Sequence, residues 1–216
     1  MASPAPAPSS PWERLAPEAV GELFADSDAR WWLSGGAALD RWLGSPIRAR
    51  ANTDVSTTWA ELAKLLAVLP APFSAWVPSD DGVIAWAELP EGGDPQPVLI
   101  HDDSSGAWAL QVNVEDGSDS AWMYRRDARL QLPWDAAVLD IDGIPTGAPE
   151  IQLVWKALRP RPEDDIDKDA VLPRLSDEAR SWWERALLSI HPHSTWAIHV
   201  RSPMFPARAS WNRSGS

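Results

Sequence analysis

Residues 31–57 constrain the fold of this chain most, because their order predicts a strand, a tight turn, a helix and a second strand. A short apolar strand is predicted over residues 30–33. Gly35-Gly36 follows it, and two residues without side chains permit a tight turn and a close approach of the backbone to a phosphate. A helix over 37–43 and a strand over 53–56 complete the segment. The segment therefore predicts an α/β protein.

The glycine pair and the acidic strand together match a known motif. The pattern is Gly-Gly-x-Ala-Leu-Asp followed by Arg-x-His-x-Asp-x-Asp-Val, and the matching residues are Gly35, Gly36, Ala38, Leu39, Asp40, Arg48, Asp54 and Val55. This layout resembles the aminoglycoside and lincosamide nucleotidyltransferase-like family. The chain departs from it at Arg50, where the family has His, and at Asn52, where the family has the first Asp.

Later segments extend the resemblance over roughly Trp12 to Val200. They are Trp122–Asp127, Gly143–Pro145, Ala148–Leu153, Lys156 and the Arg161–Asp167 stretch, in which Glu163 stands where a Lys is usual. The resemblance implies a nucleotidyltransferase-type α/β (α+β) fold, a mixed sheet flanked by helices with a small C-terminal helical portion. The predicted boundaries are a disordered leader over 1–11, the α/β domain over 12–147, the helical portion over 148–200 and a flexible tail over 201–216.

The family's reaction needs carboxylates that this chain lacks. Two divalent metals, usually Mg²⁺, stabilise the attacking and leaving oxygens of nucleotidyl transfer, and Mg²⁺ prefers carboxylate oxygens. Side chains two apart on a strand share a face, so positions 52 and 54 should point together. Alignment with the family puts the third acid at Asn113, also an amide. Asp54 is then the one remaining metal-binding acid of the motif.

Glu115 is the one candidate replacement for a lost acid. It shares a strand face with Asn113, and a register slip of two residues would let Glu115 and Asp54 hold one metal. The alternative is that Glu115 ends its strand beside the Asp116-Gly117 turn, in solvent.

The remaining candidate residues concern ligand binding. The resemblance assigns the triphosphate to Ser34, Gly35 and Gly36, with Arg48 and Lys156 neutralising it. Arg50 is a further candidate for nucleotide or ligand binding. Lys156 is otherwise a solvated surface lysine. Trp59 follows the acidic strand and is the best candidate among the fifteen tryptophans to contact a ligand, since an indole face binds flat or cationic groups.

Two functions follow from these residues. One is a nucleotidyltransferase-fold protein that binds or acts on a small polar molecule, with nucleotidyl transfer lost or replaced by metal-independent chemistry. This function requires no certain cofactor. The chain departs from the family pattern at several positions together, as in natural divergence: Asn52, Asn113, Arg50 and Glu163. The alternative is an active enzyme that uses Mg²⁺ and a nucleoside triphosphate to adenylylate a hydroxyl of an aminoglycoside- or lincosamide-like molecule.

Composition narrows the partners and the compartment. The net charge is −12 and basic, aromatic-rich patches are lacking, which argues against a nucleic-acid partner. No apolar run is long enough to span a membrane, and there are no cysteines. These features predict a cytoplasmic protein with a small-molecule ligand. An acidic run over 163–169 is predicted to cap the helix that follows it.

Overall fold

The computed structural model describes residues 5–201, without the side chain of His199. Residues 1–4 and 202–216, which hold part of the predicted leader and nearly all of the predicted tail, lie outside the described residues. The chain divides into two compact units, Met1–Gln152 and Leu153–Ser216. Helix α5 (Pro149–Ala157) contains the boundary between them. The predicted domain limits stay predictions.

A ten-stranded mixed sheet organises the first unit. The strand order is β4-β3-β5-β6-β2-β1-β10-β9, with β7 and β8 continuing from β6, and the β2–β6 and β1–β10 pairs are parallel. The strands are β1 (Trp31–Ser34), β2 (Asp54–Thr58), β3 (Phe73–Ser79), β4 (Gly82–Ala85), β5 (Val98–Asp102), β6 (Ala107–Gly117), β7 (Ala121–Met123), β8 (Gln131–Pro133), β9 (Val138–Ile141) and β10 (Ile144–Gly147).

Four helices lie wholly within the described residues of the first unit. They are α1 (Pro17–Leu23), α2 (Gly35–Leu43), α3 (Trp59–Ala67) and the short α4 (Trp134–Ala137), with a 3-10 turn at Trp86–Glu88. Gly44 ends α2 in the left-handed conformation, with φ of 73°, as glycines after helices commonly do. This arrangement confirms the predicted α/β class with a mixed sheet flanked by helices.

The core of the first unit lies on one face of the sheet. Val55 on β2 and Val112 and Val114 on β6 alternate with polar residues and join a buried apolar cluster with Leu62 and Leu65 of α3. Period-2 alternation on the strands and the 3–4 residue spacing on α3 produce these two matching apolar faces. The other face of β2 and β6 is polar.

The second unit is helical in its described residues. It contains the rest of α5, then α6 (Pro162–Val171), a 3-10 turn at Leu172–Arg174, α7 (Asp177–Ile190) and α8 (Thr195–Arg201). Ser176 caps α7, its Oγ accepting a hydrogen bond from the Ala179 N–H at 3.2 Å. In the part of the chain that the structure describes, no helix has the length and apolarity needed to cross a bilayer.

The acidic run does not cap a later helix, so that prediction is wrong. Residues 163–169 lie inside α6 itself. Pro162 starts the helix, and the Asp164 carboxylate accepts the Arg161 backbone N–H at 3.0 Å. Acidic side chains favour the first turn because they compensate the partial positive charge of a helix N-terminus. The run therefore begins α6.

Candidate functional site

A polar stripe crosses the sheet where β2 and β6 run side by side. The parallel register pairs Asp54 with Gln111, Ser56 with Asn113 and Thr58 with Glu115. Paired residues share a face, and residues two apart on a strand share it too. All six side chains therefore lie on the face opposite Val55 and Val112. Ser34 on β1 pairs with Asp54 and extends the stripe to Gly35-Gly36. These two glycines are the first residues of α2, which begins two residues earlier than predicted, and their place between β1 and the rest of α2 is called the Gly-Gly turn below.

The Asp54 carboxylate lies against the first glycine of that turn. A Cβ on Gly35 would come within 2.5 Å of Asp54 Oδ2, and Gly35 adopts a φ of +57°. Asn52 lies in the bend before β2, not on the strand as predicted, yet its Nδ2 donates to Asp54 Oδ1 at 2.8 Å. The amide at position 52 therefore contacts the one acid of the motif.

The guanidinium of Arg50 lies against Gly36, the second glycine of the pair. Its Nε donates to Asp40 Oδ2 at 2.9 Å and its Nη2 to Asp40 Oδ1 at 2.5 Å, and its side chain is only 5% exposed. A Cβ on Gly36 would come 2.7 Å from the Arg50 guanidinium. The Gly-Gly turn is thus flanked by a carboxylate at Gly35 and by a paired guanidinium at Gly36.

The register does not bring the other predicted acid positions to Asp54. Gln111, not Asn113, is the residue opposite Asp54, and its Nε2 donates to Asn113 Oδ1 at 2.8 Å. Glu115 is four residues beyond Gln111, which is about 13 Å along a strand. Glu115 and Asp54 are therefore too far apart to share a metal.

Glu115 is also not at a solvated strand end. Strand β6 continues to Gly117, Glu115 is 2% exposed, and its carboxylate accepts a hydrogen bond from the Trp122 indole N–H. Tyr124 is buried beyond it, and burial raises the pKa of this tyrosine to about 12. The prediction of a solvent-exposed Glu115 is wrong because the strand extends past the Asp116-Gly117 turn signature.

The donor set at Asp54 does not fit a pair of magnesium ions. Among residues 5–201, no three Asp, Glu, His or Cys side chains lie close enough to hold one metal ion. Asn52, which donates to Asp54, and Gln111, which pairs with Asp54 in the register, carry amides that bring no negative charge. Mg²⁺ sites rely on one or two carboxylates plus phosphates and water, and two-metal transfer needs such ligands for both ions.

Gln152 on α5 is a site residue that the sequence reasoning missed. It is 2% exposed, and its Oε1 accepts the Gly35 backbone N–H at 2.7 Å. Its Nε2 has no hydrogen-bond partner, and neither has Ser34 Oγ or Ser56 Oγ. The pairing joins residues 117 positions apart, and no local pattern signals it. Only its place in the Ala148–Leu153 segment of the resemblance pointed toward it.

The remaining ligand-binding candidates are Arg48, Trp59 and Lys156. Arg48 is half-buried and lines an open cavity of about 340 Å³ with Asp40 and Arg41. Trp59 is 54% exposed at the start of α3. Lys156 belongs to the second unit, where its Nζ contacts Asp164 Oδ1 at 2.8 Å and Asp167 Oδ2 at 3.0 Å. These ion pairs, not exposure to solvent, define the environment of Lys156.

The Lys156 cluster makes the second unit sensitive to acid. Burial alone would raise the pKa of Asp164, but hydrogen bonds from Arg161 and Lys156 outweigh it and hold that pKa below its usual range. The stabilisation that the Asp164 carboxylate provides is therefore present at pH values above its pKa in the unfolded chain. It is lost as the pH falls through the lower pKa that this carboxyl has in the folded protein. We expect D164N to be less stable than wild type at pH 7 and to lose less stability between pH 5 and 2, measured by urea unfolding. Equal losses in both proteins would contradict this.

Gly35 should tolerate a side chain less well than Gly44. Both glycines have positive φ, which costs an L-residue about 1–2 kcal/mol. A Cβ at Gly44 meets nothing within 4 Å, whereas one at Gly35 meets the Asp54 carboxylate. We expect G35A to cost about 1–3 kcal/mol more than G44A, because overpacking adds to the backbone strain. Urea unfolding of the two variants measures the difference, and equal costs would refute the Gly35–Asp54 contact.

Comparison with known proteins gives distant likenesses only. No family model matches the sequence, and no curated protein matches it. Among solved structures, the lincomycin-bound lincosamide antibiotic adenylyltransferase LnuA is 16% identical with a TM-score of 0.48, covering 71% of this chain and 92% of its own. ANT(2'')-Ia in complex with adenylyl-2''-tobramycin is 12% identical with a TM-score of 0.47, covering 79% and 92%.

An antigenic nucleotidyltransferase-like protein from Paracoccidioides brasiliensis is 16% identical with a TM-score of 0.42, covering 86% of this chain and 90% of its own. At TM-scores below 0.5, these likenesses assign neither a substrate nor a residue role to this chain.

Proposed function

We propose that this chain is a nucleotidyltransferase-fold protein that binds a small polar molecule at the Gly35-Gly36 turn and has lost two-metal nucleotidyl transfer. The observation that carries the proposal is the set of groups around Asp54. Its Oδ1 accepts an amide N–H from Asn52, and Gln111 stands opposite it in the register. A two-metal site would need carboxylates at both places.

The positive charge of Arg50 also supports the loss of two-metal nucleotidyl transfer. A guanidinium keeps its proton at any physiological pH, and Asp40 fixes it on Gly36 with two hydrogen bonds. Positive charge at the turn is thereby supplied by the protein itself. It also occupies space over the glycine at which the family resemblance would place the triphosphate.

What the turn offers a ligand is a hydrogen-bonding surface that includes the carboxylate of Asp54. Asp54 can accept a hydrogen bond from a ligand or act as a general base without a metal. Gln111, Asn113 and Asn52 offer amide donors and acceptors. Such a set suits a polar small molecule. The cytoplasmic location and the absence of a nucleic-acid partner, both inferred from composition, complete the proposal.

The second candidate function is Mg²⁺-dependent adenylyl transfer to a hydroxyl of an aminoglycoside- or lincosamide-like molecule. The observation that favours it is the ordered match from Gly35 through Asp54 to the 148–153 segment. In this case Asp54 would be the one carboxylate ligand available at the turn.

Pyrophosphate release separates the two functions. The full chain is incubated with Mg²⁺ or Mn²⁺, each of the four nucleoside triphosphates, and tobramycin, lincomycin or neither. We expect no pyrophosphate above the rate with EDTA, and no heat of Mg²⁺-ATP binding in calorimetry. Metal-dependent release with any combination would overturn the loss of transfer and establish the second function.

A further inference from the structure

A cavity of about 640 Å³ lies in the first unit, between α1, the start of β1 and the β9–β10 hairpin. It is separate from the Gly-Gly turn. Trp31, which lines it, belongs with Leu33 to the buried apolar cluster, whereas Ser34 pairs with Asp54 on the polar face of the sheet. Small-molecule sites in proteins have volumes of about 300–1,000 Å³, so this cavity is large enough for such a ligand.

The most buried residues that line the cavity are apolar. Phe24 and Trp31 form a tilted aromatic pair with ring centroids 5.3 Å apart, and both are almost fully buried. Ile144 and Pro145 of β10 also line it. A Cβ on Gly21 would contact Ile144 Cγ1 at 3.4 Å, so α1 packs directly against this strand. The apolar floor is therefore formed by the packing of the core and needs no ligand to exist.

The charged residues that line the cavity are mostly acidic. Glu18 and Glu22 lie four residues apart on α1, where side chains share one face of a helix and like charges repel. Asp142 lies in the turn of the hairpin, with 90% of its side chain exposed. Arg41 supplies the opposing charge, and its guanidinium also donates two hydrogen bonds to the Ile141 carbonyl. Three carboxylates against one guanidinium leave the lining with two negative charges.

This arrangement suits an organic cation better than a metal ion. In the part of the chain that the structure describes, no three acidic, histidine or cysteine side chains are close enough to hold one metal ion. The three carboxylates therefore do not converge on one point. They surround an apolar floor, which can bury the apolar body of a ligand while the carboxylates attract its positive charge.

We propose that this cavity is a second binding site, which takes a small organic cation with an apolar body. The apolar body covers the floor at Trp31 and Ile144. The ammonium or guanidinium group of the ligand lies near Glu22 and Asp142, because Arg41 contacts Glu18 at 2.8 Å but Asp142 at 3.8 Å. The site does not depend on the function proposed for the Gly-Gly turn, since its lining contains no residue of the polar stripe.

The test is an NMR titration of the ¹⁵N-labelled full chain at constant ionic strength, observed at the Trp31 indole N–H and the Gly143 amide. The probes are 2-phenylethylammonium, its neutral analogue 2-phenylethanol, tobramycin as a cation without an apolar body, and Mg²⁺. We expect 2-phenylethylammonium to shift both signals to saturation and 2-phenylethanol to bind at least fivefold more weakly. Tobramycin and Mg²⁺ should leave the Trp31 indole unchanged.

E22Q/D142N and E88Q/D81N form a matched pair of variants. All four positions are exposed, and Asp81 lies in the β3–β4 turn as Asp142 lies in the β9–β10 turn, but neither Glu88 nor Asp81 lines the cavity. We expect E22Q/D142N to weaken binding of 2-phenylethylammonium at least fivefold, as the loss of two exposed ion pairs can, and E88Q/D81N to change it less than twofold. Neither should lower Tm, since Asn tolerates the φ of 50° at Asp142.

The proposal would be overturned by the absence of a saturable shift with 2-phenylethylammonium, by equal affinity for 2-phenylethanol, or by equal effects of the two double variants. A saturable shift of the Trp31 indole with tobramycin or Mg²⁺ would contradict the need for an apolar body. A fall in Tm for E22Q/D142N would assign these carboxylates a structural role and overturn the proposal as well. Pyrophosphate release by the wild-type chain would refute the proposed function alone.

Discussion

The double variant N52D/Q111D is expected to bind Mg²⁺ at least tenfold more tightly than wild type. Both changes place carboxylates next to Asp54, one through the existing Asn52–Asp54 contact and one through the β2–β6 register. A tenfold gain corresponds to about 1.4 kcal/mol, which is modest for two added charges near a divalent ion. Calorimetry with Mg²⁺, and with Mg²⁺-ATP, measures it.

The matched control is N52D/N113D, which carries the same charge change. Asn113 pairs with Ser56, two residues along β2 from Asp54, so this variant should gain clearly less affinity than N52D/Q111D. Adding R50H to N52D/Q111D should improve Mg²⁺-ATP binding further by removing the guanidinium from Gly36. An N52D/N113D variant that binds Mg²⁺ better than N52D/Q111D would contradict the register assignment.

The second large effect is expected at Lys156 in the helical unit. K156M would leave Asp167, which is fully buried, and Asp164, 3% exposed, without the ammonium that contacts both. Removing one partner from a buried ion pair typically costs about 3–5 kcal/mol. We expect a loss of that size in the free energy of unfolding, measured by urea denaturation with circular dichroism.

R180M is the control within the same unit. Arg180 and Glu184 form an exposed pair with 3.5 Å between Nε and Oε1, and such pairs contribute about 0–1 kcal/mol. K156M/D167N should recover part of the loss because it removes a buried negative charge that has lost its contact with Lys156. If K156M costs no more than R180M, Lys156 is not the structural centre of this cluster.

Local sequence patterns were sufficient to predict helices and strands but not to predict which strand residues pair with each other. The helix predicted over 37–43 is confirmed and ends at Gly44, because a helix and its terminal glycine depend on neighbouring residues. The residue opposite Asp54 depends on how β2 meets a strand more than fifty residues later. Period-2 alternation places Gln111 and Asn113 on the same face of the strand. The sequence alone therefore could not show which of the two pairs with Asp54.

The side-chain partners at the turn were beyond prediction for a similar reason. Gln152 reaches Gly35 only because α5 follows β10, and β10 lies beside β1. No sequence pattern around Lys156, four residues after Gln152, distinguishes a ligand-binding lysine from a structural one. Its acidic partners were visible as the 163–169 run, but their role emerged only once α6 placed Asp164 and Asp167 against the ammonium.

The Arg50–Asp40 pair on Gly36 has a consequence for how the turn responds to its surroundings. A dissociable metal is present only in the fraction of molecules that the free ion concentration dictates, and it leaves when that concentration falls. A guanidinium attached to the chain is present in every molecule. Any ligand whose binding depends on that charge would therefore be bound equally well whether magnesium is scarce or abundant.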